Sequence, residues 1–505
     1  MLTTFRLFAA MTVIFSCISH ATQLRGELLA GTGRTDITEQ SVAFNDPLYA
    51  KALVLRSNGQ LAVLITVDAV SIGRIGHIRD TYLQEVRDAL QEQFRIPPEA
   101  VFVNASHCHG VVCKDVAERT VEAVGRAMAG LVPVRAGTGV GQEVRIMENR
   151  RLLLKDGSET DVRRAYSMPW DDEVAEIGPV DPEIGLLRLD RTDGTPLAVI
   201  YNFACHPIHG VPSGLSSADF PGFASAVVEE NLGHDCLAFF IQGCAGDINP
   251  VIYKDVTSPH DCEPFGNMLG LNVLRGLRTI PADKMDDSPE VMIISEQLPL
   301  PRAADFEARL QSLEQQQEKL LSQLGGTDLN FRSFLPLYLQ HKLNPEYPAY
   351  YAPGYLLEER NGVNGLRKLD EVNARNLDAY LRNIRTMEKL SRLQVNRRLL
   401  QMHQKQTIAA EGKPLTVEVG GIRIGDFRLI TFPGELTVQI GLNIKQKSPH
   451  RFTFVAGYTN GYIYYTPTSK QRLNSGFAQE DCDTLVAPEW QPLFEKTVAD
   501  LLSRL

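Results

Sequence analysis

His107-Cys108-His109 follows directly on the apolar, strand-like run Val101-Phe102-Val103-Asn104. A second short apolar run delivers a histidine in the same way, in Tyr201-Asn202-Phe203-Ala204-Cys205-His206-Pro207. Leu429-Ile430-Thr431-Phe432-Pro433-Gly434-Glu435 delivers a carboxylate, and the tyrosines Tyr462, Tyr464 and Tyr465 follow. Two imidazoles, a carboxylate and a phenol at element ends form a ligand set that zinc accepts, with a position left open for water. That chemistry is a hydrolase's. His107 and His109 alternate with one intervening residue, so an extended strand exit turns both to one face. One can bind metal while the other meets the substrate or its developing negative charge. His209, beyond Pro207, is left outside the set.

The elements that must position these residues alternate. Leu48 to Leu55 and Leu61 to Val67 read as strands joined at Ser57-Asn58-Gly59, a tight-turn sequence. A helix is expected from Ile78 to Phe94, ended by Pro97-Pro98, then the Val101 strand, then a helix from Val112 to Met128. Gly185 to Leu189 and Leu197 to Ala204 form a strand pair around Thr192-Asp193-Gly194. A helix over Phe220–Glu230 and a strand over Cys236–Gln242 lead into the loop Gly243-Cys244-Ala245-Gly246-Asp247-Ile248-Asn249-Pro250. Such alternation predicts an α/β fold with mixed or parallel pairing and its chemistry at strand ends. Gly31-Thr32-Gly33 lacks nucleotide-binding spacing, and Asp36 is read as a structural residue that fixes the N-terminal strand. Residues 303–412 are a mainly helical insertion, with helices over Ala303–Leu324 and Asp370–Thr407 flanking a Pro/Tyr-rich stretch from Asn330 to Val363 that reads as irregular or lid-like. Its aromatic residues, Tyr347, Tyr350 and Tyr351 among them, are candidate walls of a substrate cleft. Strands resume at Leu415–Val419, Phe427–Phe432 and Phe452–Val455, so the insertion interrupts one catalytic domain spanning residues 24–505.

The chain has 505 residues, 44% apolar and 22% charged, with a formal net charge of −10 and no basic stripe, which argues against nucleic acid as a partner. Residues 1–21 read as an export signal: Arg6, the apolar run from Leu7 to Phe15, and small residues at Ser19-His20-Ala21. Cys17 offers the competing reading of a lipoprotein anchor. No later stretch approaches the ~18 apolar residues of a spanning helix. The mature protein is therefore expected outside the cytoplasm, periplasmic or secreted, with no transmembrane segment. Seven cysteines remain beyond Cys17, too few and too odd for a disulfide scaffold; Cys262 and Cys482 are candidates for a single bridge.

Taken in order, Gly33-Arg34-Thr35-Asp36-Ile37-Thr38, Ser106-His107-Cys108-His109-Gly110 and Asp181-Pro182-Glu183-Ile184-Gly185-Leu186-Leu187-Arg188 resemble the catalytic domain of neutral/alkaline, non-lysosomal ceramidases. Asn202 to Pro207, Gly246 to Pro250, Pro433-Gly434-Glu435 and Asn460 to Thr466 extend the resemblance over roughly residues 30 to 495. It implies a zinc ion held by His107, His206, Glu435 and Tyr465, with His109 near the substrate carbonyl. Tyr465 is chosen over its neighbours by the resemblance alone. This chain also departs from the family. Asn249 stands where the family carries an essential serine, Phe477 where a further tyrosine is expected, and Cys108 where the histidine motif has threonine. With the sequence ending at Leu505, the family's immunoglobulin-like C-terminal domain is expected to be lacking.

The resemblance implies hydrolysis of an amide by a zinc-activated water, with His109 stabilising the oxyanion. Asn249 is expected as a second catalytic group, since its amide can hydrogen-bond substrate but cannot replace a serine nucleophile. Asp247 and Phe477 are expected at the substrate. The substrate is a small molecule, a lipid or an oligosaccharide derivative carrying an N-acyl group, and the exchanged serine and tyrosine argue against ceramide itself. An ester- or glycoside-cleaving enzyme on the same scaffold, with Asp68, Asp219 or Asp247 as proton donor, is the alternative, followed by a non-catalytic extracytoplasmic binding protein.

Overall fold

The computed structural model describes residues 27–162, 168–233, 235–252, 257 and 260–505. The proposed signal segment and Cys17 lie outside them. In chain order the first strands are β1 (Leu29–Asp36), β2 (Tyr49–Ser57), β3 (Gln60–Val67), β4 (Val101–Ala105) and β5 (Val132–Gln142). Short strands β6 (Met147–Asn149), β7 (Arg151–Leu154), β8 (Glu159–Asp161) and β9 (Val174–Ile177) precede β10 (Glu183–Arg191), β11 (Pro196–Phe203), β12 (Leu237–Gln242) and β13 (Ile248–Pro250). The last are β14 (Val291–Leu300), β15 (Leu415–Ile424), β16 (Phe427–Thr431), β17 (Glu435–Leu436), β18 (Thr453–Ala456) and β19 (Tyr465–Thr466). Helices α1 (Tyr82–Phe94), α2 (Val116–Ala129), α3 (Asp219–Leu232) and α4 (Glu263–Leu277) belong to the first half. Helices α5 (Phe306–Gln323), α6 (Phe331–Leu343), α7 (Pro353–Arg360) and α8 (Gly365–Ala409) form the insertion. Then come α9 (Val438–Lys447), the single turns α10 (Ser469–Arg472) and α11 (Gln479–Cys482), and α12 (Trp490–Arg504).

The fold is mixed α/β. One eight-stranded sheet runs β12-β11-β10-β5-β1-β2-β3-β4, and a four-stranded sheet runs β14-β15-β16-β18. Neighbours in the large sheet are antiparallel except at its two edges, where β11 pairs with β12 and β3 with β4 in parallel. The β16–β18 pair is parallel too. Parallel neighbours need a crossover, and α1, α3 and α9 supply the three. The β2–β3 hairpin turns on Asn58 and Gly59, both at positive φ (50° and 78°), the requirement of a tight hairpin matched to strand twist. Strand β3 is apolar on both faces because helices α1 and α2 cover one side and the second sheet the other.

Apolar side chains from both sheets, including Leu53, Phe102, Leu187, Phe239 and Phe454, fill the layer between them. The sheets approach closely there: a Cβ at Gly185 would collide with the Phe454 ring. The edge strands β4 and β12 are stitched together by Asn104. Its side-chain oxygen accepts from the Gln242 N–H (3.0 Å), and its amide donates to Gly457 O (2.8 Å) and Thr459 Oγ1 (2.9 Å). The C-terminal ends of β4, β11, β12, β16 and β18 therefore converge.

Several expectations change. Helix α1 starts at Tyr82 and not Ile78, and α2 at Val116 and not Val112, because Val112 forms a β-bridge with Thr38 and the Cys113 N–H donates to Ile37 O. The stretch 330–363 is not irregular: it holds α6, opened by an Asn330–Ser333 capping box, and α7, opened by Pro353. Phe334 and Tyr355 pack on α8, with Phe334 stacked on Tyr380 and the Tyr355 hydroxyl donating to Asp370, while Tyr350 and Tyr351 are exposed and wall no cleft. Cys262 and Cys482 do not pair. All seven described cysteines are free and buried, these two in different core clusters. Asp36 behaves as expected, accepting the Thr38 N–H (2.8 Å) at the end of β1. Among the described residues no helix is long and apolar enough to cross a membrane.

Candidate metal centre

His107 leaves β4 in a left-handed conformation (φ 67°) held by backbone bonds from Ser106 N to Val67 O and His107 N to Ala69 O, both 3.0 Å. Tyr458, Asn460 and Tyr464 also have positive φ (53°, 57° and 64°). Such backbone costs of order 1 kcal/mol or more per non-glycine residue and persists only where the surroundings dictate it. His206 follows β11. Glu435 begins β17, which pairs in parallel with β19 so that Glu435 lies opposite Tyr465.

His107, His206 and Glu435 are all buried, and their ligand atoms lie within 4.8 Å of one another. The His206 Nε2 stands 3.0 Å from Glu435 Oε2, and the His107 Nε2 3.7 Å from the same oxygen. Each imidazole is anchored on its far side, His107 Nδ1 to Val70 O at 2.5 Å and His206 Nδ1 to Ile248 O at 2.9 Å. A carbonyl can only accept, so each Nδ1 carries a proton, and each Nε2 is turned toward the carboxylate. Two ring nitrogens gathered on one carboxylate need positive charge among them, either protons on Nε2 or a metal ion. The donor set fits a metal ion, and the carbonyl anchors are the outer contacts that orient metal-binding histidines.

Burial alone would raise the Glu435 carboxyl, but His107, His206 and a hydrogen bond from Tyr462 outweigh it and hold it well below the carboxylate range. Tyr462 donates to Oε1 and Tyr458 to Oε2, the latter at 3.2 Å. Both phenols are pushed well above their ordinary value, first by burial and then by the Glu435 charge, so they remain neutral donors. Tyr465 is buried, its ring stacked near His206 with centroids 6.5 Å apart. His109 is solvent-exposed, its ring 5.7 Å from that of His107.

Asn249 lies on β13, wholly buried. Its Oδ1 accepts from Arg150 (3.2 Å), while among the described residues its Nδ2 has no hydrogen-bond partner. Arg150, also buried, donates to Gly246 O (2.6 Å) and Glu480 Oε1 (2.8 Å) and lies over the Tyr465 ring at 5.3 Å. Burial pushes Glu480 up, against the pull of Arg150.

The structure gives Asp247 and Phe477 other surroundings than the sequence led us to expect. Asp247 accepts the Val438 N–H (2.7 Å) at the start of α9 and the Asn149 amide (3.3 Å), so its carboxylate holds the loop together. Phe477 packs with Leu313, Leu393 and Leu400 between the insertion and the core, beneath Arg309. Asp68 and Asp219 likewise accept backbone N–H groups, from Tyr49 and from Gly210 and Phe220. Sequence reading missed Tyr458, Arg150 and Glu480. Tyr458 follows a strand end as His107 does and was open to the same logic, whereas nothing in the spacing marks Arg150 or Glu480.

The sheets, crossovers and convergent strand ends define a neutral-ceramidase-like fold. A structure described as ceramidase complexed with C2 superposes with a TM-score of 0.61 at 16% identity, covering 95% of this chain and 76% of that one. The neutral ceramidase from Pseudomonas aeruginosa gives 0.58 at 17% identity, covering 95% and 75%. The sequence matches no protein-family model and no curated protein.

Proposed function

We propose that this protein is a zinc-dependent hydrolase that cleaves the amide bond of an N-acyl compound, with His107, His206, Glu435 and Tyr465 as the metal ligands. The observation that carries the reading is the pair of carbonyl-anchored imidazoles turned toward one buried carboxylate. Likeness to ceramidases supports the bond type. When bound, the ion supplies a Lewis acid that polarises a carbonyl and makes water a nucleophile at neutral pH.

The chain's own groups do the rest. Val70 O and Ile248 O hold both imidazoles with Nε2 aimed at Glu435, and Tyr458 and Tyr462 fix the two oxygens of Glu435. Asn249 cannot serve as a nucleophile. With Oδ1 tied to Arg150, its Nδ2 is the atom left to donate to the oxygen that gains charge as the amide carbonyl is attacked. His109, beside His107 and open to solvent, is a second donor to that oxygen. Asp247 and Phe477 shape the substrate side indirectly, through the 246–250 loop and the seat of the insertion. With residues 1–21 read as an export signal, the reaction is assigned to the periplasm or the exterior. Ceramide is disfavoured because the family's serine is replaced by Asn249.

The test is turnover by purified protein of ceramide, N-acyl amino acids, N-acetylated sugars, simple esters and unsaturated or uronic oligosaccharides. Amide cleavage at or above ~1 s⁻¹, abolished by a chelator and restored by zinc, is expected. Cleavage confined to esters or glycosides overturns the assignment, and ceramide as the best amide overturns the substrate part.

A further inference from the structure

Helix α6 carries an apolar stripe that no described residue covers. Phe331, Leu335, Leu339 and Leu343 recur every fourth residue and are 65%, 42%, 48% and 84% exposed, and Tyr350 just beyond them is 95% exposed. The opposite face is the one that packs, through Phe334, whose ring stacks on Tyr380 at 4.5 Å. Scattered exposed leucines need no explanation, but a contiguous patch of this kind marks an interaction surface.

Its chemistry narrows the partner. The sequence of α6, FRSFLPLYLQHKL, holds Arg332, His341 and Lys342 and no acidic residue, in a chain whose net charge is −10. An apolar face flanked by cations, with tyrosines at its margin, is the composition of a helix that lies in a bilayer interface. A second copy of the chain fits less well. A two-fold self-contact brings the same patch together, setting cations against cations with no acid on α6 between them.

Placement agrees. Among the described residues, the hydrogen bonds and ring contacts of residues 330–363 run within that stretch or to α8. Gly325 is pinned to the Asn383 side chain (3.2 and 2.8 Å), while the far end of α8 reaches the site, where Gln406 donates to the Tyr464 hydroxyl (3.2 Å). At 1.5 Å per helical residue the patch stands roughly 30 Å or more from the metal centre.

We propose that the α6 face is a peripheral docking surface for an anionic lipid bilayer, holding the protein at a membrane without spanning it. The inference is independent of the hydrolase reading, because vesicle binding needs no turnover. It is tested by co-sedimentation of the full chain with vesicles of phosphatidylcholine alone or mixed with phosphatidylglycerol. Wild type should bind the mixed vesicles. The double variant Leu335→Glu/Leu339→Glu should bind at least about tenfold less, and Arg332→Glu/Lys342→Glu should lose the preference for phosphatidylglycerol. Both should keep the wild-type melting temperature, since the altered side chains are exposed. Absence of wild-type binding, or undiminished binding by the leucine variant, overturns the proposal. So does a wild-type dimer in sedimentation velocity that the leucine variant dissociates without any vesicle binding.

Discussion

The buried amide of Asn249 separates this site from one built around a serine. An unpaired, wholly buried N–H group costs about 1–3 kcal/mol, so its persistence beside the candidate metal centre calls for a ligand that pairs it. Asn249→Ala should lower kcat about 10²–10³-fold with little change in KM, and Asn249→Asp should do no better because it removes the donor. A loss expressed wholly in KM would assign Asn249 to ground-state binding instead. At this scale the sequence was informative at strand ends, Tyr458 excepted. His107, His206 and Glu435 were legible because an apolar run announces each of them. Arg150 and Glu480 were not, because a buried ion pair joining residues 330 positions apart leaves no local pattern.

Elements decide where those residues meet. Asn104 ties β4 to β12, and with them the strand ends that deliver His107 and the 243–250 loop. Asn104→Leu strands the Gln242 N–H in the interior and leaves Gly457 O with the Thr459 hydroxyl alone, and should destabilise the fold by about 1–3 kcal/mol, read as a lower melting temperature. A variant melting with wild type would remove the tie from the account. A second prediction concerns the start of α3. Burial raises the Asp219 carboxyl from 3.8 to about 6, against hydrogen bonds from Phe220 and Gly210. A raised folded-state pKa contributes stability that is fully present below pH 3.8 and lost as pH climbs through 6. Asp219→Asn removes that dependence, so its stability relative to wild type should improve by up to about 3 kcal/mol between pH 4 and pH 7. Parallel melting curves across that range would contradict the burial argument. Strands β2, β3, β4 and β11 were legible from apolar runs. Strand β5 was not: Gly137, Gly139 and Gly141 alternate along it, and the first two leave room for Ile280 and Met285, which hides the apolar pattern. The Pro- and Tyr-rich composition of 330–363 masked α6 and α7 because capping and packing on α8, both non-periodic signals, stabilise them.

Across the whole molecule, the insertion divides into a part bound to the site and a part remote from it. Toward the site, His403 pairs with Asp483 (2.7 Å) and Arg392 with Asp161 (2.7 Å), both linked to the loops around Arg150 and Tyr465. Beyond Gly325 and Asn383 lies only the distal lobe. Joining Gly326 to Leu381 through a short linker should leave metal content and turnover of a soluble amide close to wild type; loss of both would show that the lobe supports the centre. The central claim remains that the two sheets exist in this arrangement to gather one metal-binding triad. Elemental analysis of purified wild type, His107→Ala and Glu435→Gln after incubation with zinc and removal of excess tests it most directly. The account predicts one zinc per wild-type chain and far less than one in each variant, with all three folded by circular dichroism. Stoichiometric zinc retained by His107→Ala, or a folded wild-type chain that binds none, would contradict it.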